Sequence, residues 1–179
     1  MGLPGSGKTT LAEALAPRIP ARTVSRDTVR AAMFRPCSFS DAEKAAAFEA
    51  VLRALAVNCR LGHSTVVDGM PFSRAGEFEA VSRASRERGC RAIPVLCSVS
   101  VDEARRRVRS QREASEPSAE DRDEELVREV ADRFRSPPEG TIQIDATRPP
   151  EELAQAVLER IRDRREAGTR PHGPREHPS

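Results

Sequence analysis

The feature that most constrains this chain is the glycine-rich stretch GLPGSGKT near its start. The stretch fits the pattern G-x-x-x-x-G-K-[ST], whose defined positions are here Gly2, Gly7, Lys8 and Thr9. Gly5 adds a further residue that can adopt positive φ. In such a loop, inward-pointing backbone N–H groups and the positive end of the following helix together hold a diphosphate or triphosphate. The alternative is a flexible glycine turn that matches the pattern by chance.

The lysine of this motif stands out against the composition of the chain. The sequence has 28 arginines but only two lysines, Lys8 and Lys44. A compact ammonium is needed where a side chain reaches between phosphates, and Lys8 lies at that position. The composition therefore favours a working phosphate loop, because a chance match would more often carry arginine there.

Length and composition indicate a single globular α/β domain. The 179 residues include 37% hydrophobic and 32% charged residues, and the net charge of +2 does not require a polyanionic partner. No apolar run is long enough to cross a bilayer, so we expect a cytoplasmic protein with no membrane partner. The four cysteines lack metal-site spacing, and we expect them to be reduced and mostly buried, with Cys97 in the core.

Segments with strand and helix patterns alternate along the chain. Strands are predicted at residues 22–25, 64–68, 95–99 and 141–145, and helices after the glycine loop and at about 40–61, 73–88, 100–113, 119–134 and 151–165. This alternation predicts a parallel sheet with helices on both faces and ligands beyond the carboxyl ends of the strands. We expect a domain at residues 1–165 with a lid near 105–135, followed by a disordered tail at 166–179.

We expect three polar segments to lie along one edge of the predicted sheet, the edge at the carboxyl ends of its strands. They are the glycine loop, residues 25–30 (SRDTVR) and residues 68–74 (DGMPFSR). An arginine-rich helix at residues 105–112 comes later in the chain. With these motifs in this order, the chain resembles small P-loop kinases of the polynucleotide 5′-hydroxyl kinase type. This group is also similar to chloramphenicol phosphotransferase, gluconate kinase and adenylylsulfate kinase, and the resemblance extends over about residues 2–162.

The resemblance implies a P-loop NTPase fold with an AAA-type ATP-binding domain that uses ATP and Mg²⁺. The expected nucleotide-binding residues are Gly2, Pro4, Gly5, Ser6, Gly7, Lys8, Thr9, Thr10 and, near the adenine, Thr147. Lys8 would bridge the β- and γ-phosphates, and the Thr9 hydroxyl would ligate Mg²⁺. Asp68 resembles the acidic residue that holds the water shell of the magnesium ion. The alternative for Asp68 is a cap on the following segment.

The residues expected at the acceptor come from SRDTVR and from the segment after Asp68. Asp27 matches the family's aspartate that accepts the proton of the acceptor hydroxyl, and its alternative role is a helix N-cap. Arg30, one helical turn further on, would bind an acidic group of the acceptor. Arg74 could also contact the acceptor, and a solvated helix arginine is the competing interpretation.

The resemblance also implies that lid arginines close on the transferring phosphoryl group. Arg107 and Arg112 are the candidates, although the family's spacing would place Gln111 where an arginine is expected. A solvated helix face paired with nearby acidic residues is the alternative for most of these arginines.

The sequence lacks an element that normally supports such a loop. A buried central strand usually precedes the glycine stretch, and here only Met1 does. We expect this strand to be missing from the sheet, at a cost in stability unless an upstream segment or another part of the chain replaces it.

The leading interpretation is an ATP-dependent phosphotransferase that moves the γ-phosphoryl group to a hydroxyl. A small molecule or nucleoside is favoured as the acceptor over a nucleic acid 5′ end, because the chain has no Trp or Tyr to stack bases. A nucleotide-dependent switch or ATPase and an inactive remnant remain as alternatives. The sequence does not define the oligomeric state.

Overall fold

The structure is a computed structural model that describes residues 1–114, 123–134 and 136–169. Its helices are α1 (Lys8–Leu15), α2 (Arg26–Met33), α3 (Asp41–Arg60), α4 (Glu77–Arg86), α5 (Val101–Glu113), α6 (Glu124–Arg133) and α7 (Pro150–Thr169). Its strands are β1 (Ala21–Ser25), β2 (Ser64–Asp68), β3 (Val95–Ser98) and β4 (Ile142–Asp145). The predicted alternation of strands and helices is therefore confirmed.

The four strands form two parallel pairs. β1 pairs with β2, and Ser25 lies opposite Asp68 at their carboxyl ends. β3 pairs with β4, and Ser98 lies opposite Asp145. The prediction of parallel strands is correct, but in the described residues the two pairs are separate sheets rather than one.

The backbone of Met1 lies beside β3 and carries the chain into the glycine loop. The Met1 amine donates to the Val95 carbonyl at 2.6 Å, and the Cys97 amide donates to the Met1 carbonyl at 3.0 Å. The next amide, that of Gly2, donates to the Pro71 carbonyl at 3.1 Å, in the segment that follows β2. Two hydrogen bonds thus connect Met1 to β3, and one connects Gly2 to the segment after β2.

Hydrophobic residues from different elements form three buried clusters. The largest joins α1, β3, β4 and α7 and contains Leu11, Leu15, Cys97, Ile142, Ile144, Ala146, Leu153, Ala154, Val157 and Leu158. A second cluster, around Leu55 and Val81, joins α3 and α4, and a third, around Val108 and Val127, joins α5 and α6. The burial of Cys97 agrees with its prediction as a core residue, and all four cysteines are free.

Several helix boundaries follow from local capping. The Ser40 and Ser100 hydroxyls accept hydrogen bonds from the amides of Glu43 and Glu103, which confirms the predicted starts of α3 and α5. The prediction of helix from residue 73 is wrong. α4 begins after Gly76, whose positive φ of 84° ends an irregular segment at residues 69–76.

Two boundaries near the C-terminus also differ from prediction. α7 continues to Thr169, so residues 166–169 are helical and not part of a tail. The rest of the predicted tail, residues 170–179, lies outside the described residues. So do residues 115–122 and 135 of the predicted lid.

No helix in the described part of the chain combines the length and the apolar character needed to cross a membrane.

Candidate active site

The glycine loop wraps around the start of α1. Gly7 is the N-cap of α1, with a φ of 85°, so the loop delivers the chain into the helix at Lys8. A Cβ at Gly5 would lie 2.7 Å from the Ala104 carbonyl oxygen, which is too close for any other residue. The loop is therefore packed against α5 as well as against the strands.

Most of the predicted nucleotide-binding residues border one cavity of about 320 Å³. From the loop and α1 these are Pro4, Gly5, Gly7, Lys8, Thr9 and Thr10. Gly2 and Ser6 are buried, and their amides donate to the carbonyls of Pro71 and Leu3. These two residues shape the loop rather than face the cavity.

Lys8 lies across the loop that precedes it. Its ammonium donates to the carbonyls of Leu3 at 2.7 Å and of Gly2 at 3.1 Å. These hydrogen bonds keep the ammonium at the loop. From there it can donate to phosphate oxygens that enter the cavity.

Thr9 and Asp68 are brought together by the packing of α1 against β2. The Thr9 hydroxyl donates to Asp68 Oδ2 at 2.9 Å, and Asp68 is only 6% exposed. Asp68 thus does not serve as the helix cap considered from the sequence. A hydroxyl and a carboxylate beside a phosphate loop are oxygen donors of the kind that Mg²⁺ prefers, so the pair fits this ion.

The described residues contain no group of three or more His, Cys, Asp or Glu side chains that could hold a metal. Mg²⁺ usually keeps several waters and is held by one or two carboxylates together with substrate phosphates. The Thr9–Asp68 pair supplies one such carboxylate and one hydroxyl oxygen, and the phosphates of the nucleotide would supply further oxygens.

Asp27 lies in the first turn of α2, which directly follows β1. A Cβ at Gly69 would be 3.3 Å from the Asp27 carboxyl carbon, so this side chain lies directly against the residue after Asp68. The cap of α2 is Ser25, whose hydroxyl accepts from the Thr28 amide at 3.5 Å. Asp27 is therefore not the N-cap, and its carboxylate borders the same cavity as the loop.

Arg30 lies behind Asp27. Its guanidinium is 3.5 Å from Asp27 Oδ1 and is centred 4.6 Å from the ring centroid of Phe39. The residue is buried, and it is not among the described residues that line the cavity. Arg30 therefore contacts the predicted base, and its predicted contact with the acceptor stays a prediction.

The two lid arginines predicted from the sequence lie apart from each other. Arg107 donates to Glu103 Oε1 at 2.6 Å and to the Ala146 carbonyl at 3.1 Å, and a Cβ at Gly7 would be 3.8 Å from its guanidinium. Arg107 therefore lies over the phosphate loop beside Thr147. Arg112 is exposed and is not among the described residues that line the cavity.

Gln111 faces the cavity where the sequence had placed Arg112. Its side-chain oxygen is buried and has no hydrogen-bond partner among the described residues. The cavity-lining arginine of the lid is Arg133, at the end of α6, whose Nε lies 3.4 Å from the Ser73 hydroxyl. Neighbouring residues of a helix point in different directions, so a shift of one position decides whether Gln111 or Arg112 points into the cavity.

Two charged groups near the nucleotide side of the loop are held in their ionised form. The guanidinium groups of Arg106 and Arg107 lower the pKa of Glu103 to about 2. The hydroxyl and amide of Thr147 hold the pKa of Asp145 below its usual value. Thr147 is thereby fixed next to the Ala146 carbonyl that Arg107 contacts.

Sequence reasoning missed Lys44, Phe48 and Arg133 as cavity residues. Lys44 was noted only for its rarity, and the spacing of Lys44 and Phe48 at i and i+4 on α3 was a usable signal for a shared face. Arg133 gave no signal, because many arginines of this chain lie on solvated helix faces.

A glycine loop at the start of a helix, with a Thr–Asp pair and parallel strands ending at one edge, defines a P-loop NTPase-like α/β fold. Residues 1–137 match the AAA domain family model, and the chain belongs to that family.

Solved kinase structures share this fold at low sequence identity. The chain is similar to the adenylylsulfate (APS) kinase CysC of Mycobacterium tuberculosis, solved with AMPPNP and APS, with a TM-score of 0.69, 19% identity and coverage of 90% of this chain and 94% of that one. A gluconokinase from Sinorhizobium meliloti has a TM-score of 0.67 at 17% identity, with coverage of 95% of this chain and 95% of that one. A shikimate kinase from Acinetobacter baumannii, in complex with shikimate, has a TM-score of 0.62 at 19% identity, with coverage of 91% of this chain and 90% of that one. No curated protein matches the chain in sequence.

Proposed function

We propose that this protein is an ATP-dependent kinase that transfers the γ-phosphoryl group of ATP to a hydroxyl group of a small molecule. The observation that carries the proposal is that the phosphate loop and the Asp27 carboxylate border one cavity. A nucleotide-binding switch has no need of a carboxylate that borders the same cavity as the phosphate loop.

The residues of the loop would bind and orient the triphosphate. The amides at the start of α1 and the Lys8 ammonium would hold the β- and γ-phosphates, and Thr9 and Asp68 would hold Mg²⁺. When bound, this ion neutralises negative charge that develops on the phosphoryl oxygens. We assign Arg107 to nucleotide binding because it lies over Gly7 of the loop and contacts the Ala146 carbonyl, next to Thr147.

Asp27 would orient the acceptor hydroxyl and take its proton. A bond forms between the acceptor oxygen and the γ-phosphorus, the bond from that phosphorus to the bridging oxygen of ADP breaks, and the proton moves to the carboxylate. Arg30, behind Asp27, would hold the carboxylate in place. Arg133 is the lid cation that can reach the cavity, and we place it on the acceptor side with Arg74.

The family and the fold support this proposal at a general level. The chain belongs to the AAA domain family, and the APS kinase, gluconokinase and shikimate kinase with the same fold carry names of small-molecule acceptors. The resemblance to polynucleotide 5′-hydroxyl kinases and chloramphenicol phosphotransferase stays a prediction. Nucleic acid is not the favoured acceptor, since the described cavity offers one aromatic ring, that of Phe48.

The experiment that tests the proposal follows the label of γ-³²P-ATP through a panel of hydroxyl compounds with Mg²⁺ present. The panel contains sugars, sugar acids, nucleosides and an oligonucleotide with a free 5′-hydroxyl. We expect the label in a new phosphate ester of a small molecule. Label found only in inorganic phosphate would indicate an ATPase or switch instead, and no turnover with no ATP binding would indicate an inactive protein.

A further inference from the structure

We propose that the phosphoryl acceptor is an anionic small molecule whose oxyanion group is held by Lys44, Arg74 and Arg133. This inference rests on the proposed kinase function, and it names the class of acceptor that would bind in the cavity described above.

The cavity carries an excess of positive charge. Its lining includes five cationic side chains, Lys8, Arg26, Lys44, Arg74 and Arg133, and two acidic ones, Asp27 and Glu77. Lys8 belongs to the phosphate loop, and the Arg26 guanidinium is 3.7 Å from Asp27 Oδ1. The three remaining cations come from three separate parts of the chain, namely α3, the segment after β2 and the end of α6.

These three cations lie close together. The guanidinium of Arg74 is 3.0 Å from Asp41 Oδ1, and Arg133 Nε is 3.4 Å from the hydroxyl of Ser73, the residue before Arg74. Arg74, with smaller contributions from Lys44 and Arg133, holds the pKa of Asp41 below its usual value. Lys44 lies one helical turn after Asp41 on α3, and all three cations line the same cavity.

That carboxylate compensates the three charges only in part. The Asp41 side chain is 77% exposed and that of Arg74 is 49% exposed, so water screens their ion pair. Glu77 is occupied at its carboxylate by the backbone amide of Arg74, at 3.2 Å. Among the described residues, Lys44 and Arg133 form no ion pair although both are half-buried. Half-buried like charges repel, and an oxyanion between them would relieve the repulsion.

The types of side chain fit an oxyanion. Two guanidinium groups offer planar pairs of donors for a carboxylate, sulfate or phosphate, and an ammonium adds a point charge. Both lysines of the whole sequence border this cavity, one at the phosphate loop and one at the proposed anion site. In a chain with 28 arginines, this placement makes Lys44 the counterpart of Lys8 for a second anionic ligand.

The size and the apolar wall of the cavity favour a small acceptor. The cavity of about 320 Å³ also borders the phosphate loop, so the phosphates of the nucleotide would fill part of it and leave space for a small acceptor. Phe48 lies one helical turn after Lys44 and gives the body of the acceptor an apolar surface beside the charged group. A hydroxyl on that body would then face Asp27.

The first test measures anion binding with the nucleotide site filled. Sulfate is titrated by calorimetry into protein saturated with AMPPNP and Mg²⁺, for the natural sequence and for Lys44→Gln, Arg133→Gln and the control Arg53→Gln. Arg53 is an exposed residue of α3 that does not line the cavity. We expect one sulfate per chain, weakened about 10- to 100-fold in Lys44→Gln and Arg133→Gln and unchanged in Arg53→Gln. AMPPNP affinity should be equal in all four proteins.

No sulfate uptake by the natural protein, or equal uptake in Lys44→Gln and Arg133→Gln, would overturn the inference. Absence of AMPPNP binding in the natural protein would instead contradict the proposed function, so the two failures are distinguishable.

The second test compares matched acceptors with γ-³²P-ATP. The pairs are gluconate and gluconamide, shikimate and its methyl ester, and adenosine 3′-monophosphate and adenosine, so that carboxylate and phosphate groups are distinguished. We expect a higher kcat/KM for the anionic member, with the preference reduced in Lys44→Gln through KM. Efficient transfer to the neutral members, or to an oligonucleotide in preference to all of them, would overturn the inference while leaving the kinase function intact.

Discussion

Thr9 and Asp68 show at the scale of single residues how a phosphate loop and a strand end form one site. They are 59 positions apart in sequence, and their side-chain oxygens are 2.9 Å apart. The buried Asp68 carboxylate accepts a hydrogen bond from the Thr9 hydroxyl, which lowers the cost of burying it. The pair is therefore sensitive to loss of the hydroxyl and tolerant of loss of the methyl group.

Replacing Thr9 by Ala should reduce activity and weaken the response to magnesium, because one oxygen donor is removed. We expect a loss of about 10- to 100-fold in kcat/KM and a higher Mg²⁺ concentration for half-maximal rate. Thr9→Ser keeps the hydroxyl and serves as the matched control, with near-natural values in the same Mg²⁺ titration. If Thr9→Ala and Thr9→Ser behave alike, the hydroxyl has no role at the metal.

At the scale of elements, the phosphate loop packs closely against α5. A Cβ at Gly5 would meet the Ala104 carbonyl oxygen at 2.7 Å. The same helix holds Arg107 over Gly7 through Glu103. α5 therefore supports both the backbone of the loop and a side chain above it.

Gly5→Ala should disrupt the loop through a steric clash added to backbone strain. Gly89→Ala is the matched control, because Gly89 has a similar φ, 72° against 75°, with no atom within 4 Å of the added Cβ. We expect Gly89→Ala to cost about 1–2 kcal/mol in the free energy of unfolding and to leave ATP affinity unchanged. Gly5→Ala should cost more and abolish ATP binding in calorimetry. Equal effects of the two substitutions would show that the contact with α5 is unimportant.

The ion pairs of Glu103 should make the stability of α5 depend on acid pH. The folded pKa of Glu103 is about 2, below its ordinary value near 4.5, so the group stabilises the fold above pH 4.5 and loses this contribution as the pH falls toward 2. The melting temperatures of the natural protein and Glu103→Gln should differ by a constant amount above about pH 5 and converge below it. A difference that does not change between pH 5 and pH 2 would contradict this assignment.

At the scale of the whole molecule, the core extends beyond the part that matches the AAA domain family. The match ends at residue 137, whereas β4 and α7 follow it and supply most of the largest buried cluster. α7 packs on α1, the helix that presents its N-terminus to the phosphate loop. The part of the described chain after residue 137 therefore supports the site, although it supplies none of the side chains that line the cavity.

Leu153→Ala should test that support. Leu153 of α7 is 5% exposed in the cluster with α1, so its truncation should lower the free energy of unfolding by about 2–5 kcal/mol. Leu61→Ala, at a side chain that is 55% exposed, is the control and should change it by less than about 0.5 kcal/mol. Urea denaturation of both variants gives the values, and a small effect at Leu153 would show that α7 is not part of the cooperative core.

Much of the fold could be predicted from the sequence because periodicity and capping residues are local signals. The STVVD strand, for example, has the predicted bounds of Ser64–Asp68. The irregular segment at residues 69–76 was wrongly predicted to be partly helical, because it carries helix-compatible residues and its form depends on tertiary contacts. The split of the strands into two pairs also could not be derived, since pairing partners are distant in sequence.

The site could be predicted where a residue type is rare in the chain or costs free energy to bury at its position. Lys8 in an arginine-rich chain and Asp68 at the end of an apolar strand are such cases, and the structure brings both to the loop. Lid arginines gave no such signal, because arginine is common on exposed helix faces here. The structure consequently directs Gln111 and Arg133 to the cavity in place of Arg112.

The most direct test of the central claim is the rate of acceptor-dependent ADP release in Asp27→Asn, compared with the natural protein at saturating ATP and Mg²⁺. The substitution keeps the size of the side chain and removes the base, so we expect a rate reduction of about 10²- to 10⁴-fold with unchanged AMPPNP affinity. Unchanged acceptor-dependent ADP release in Asp27→Asn would contradict the account, since the carboxylate facing the phosphate loop would then have no part in phosphoryl transfer.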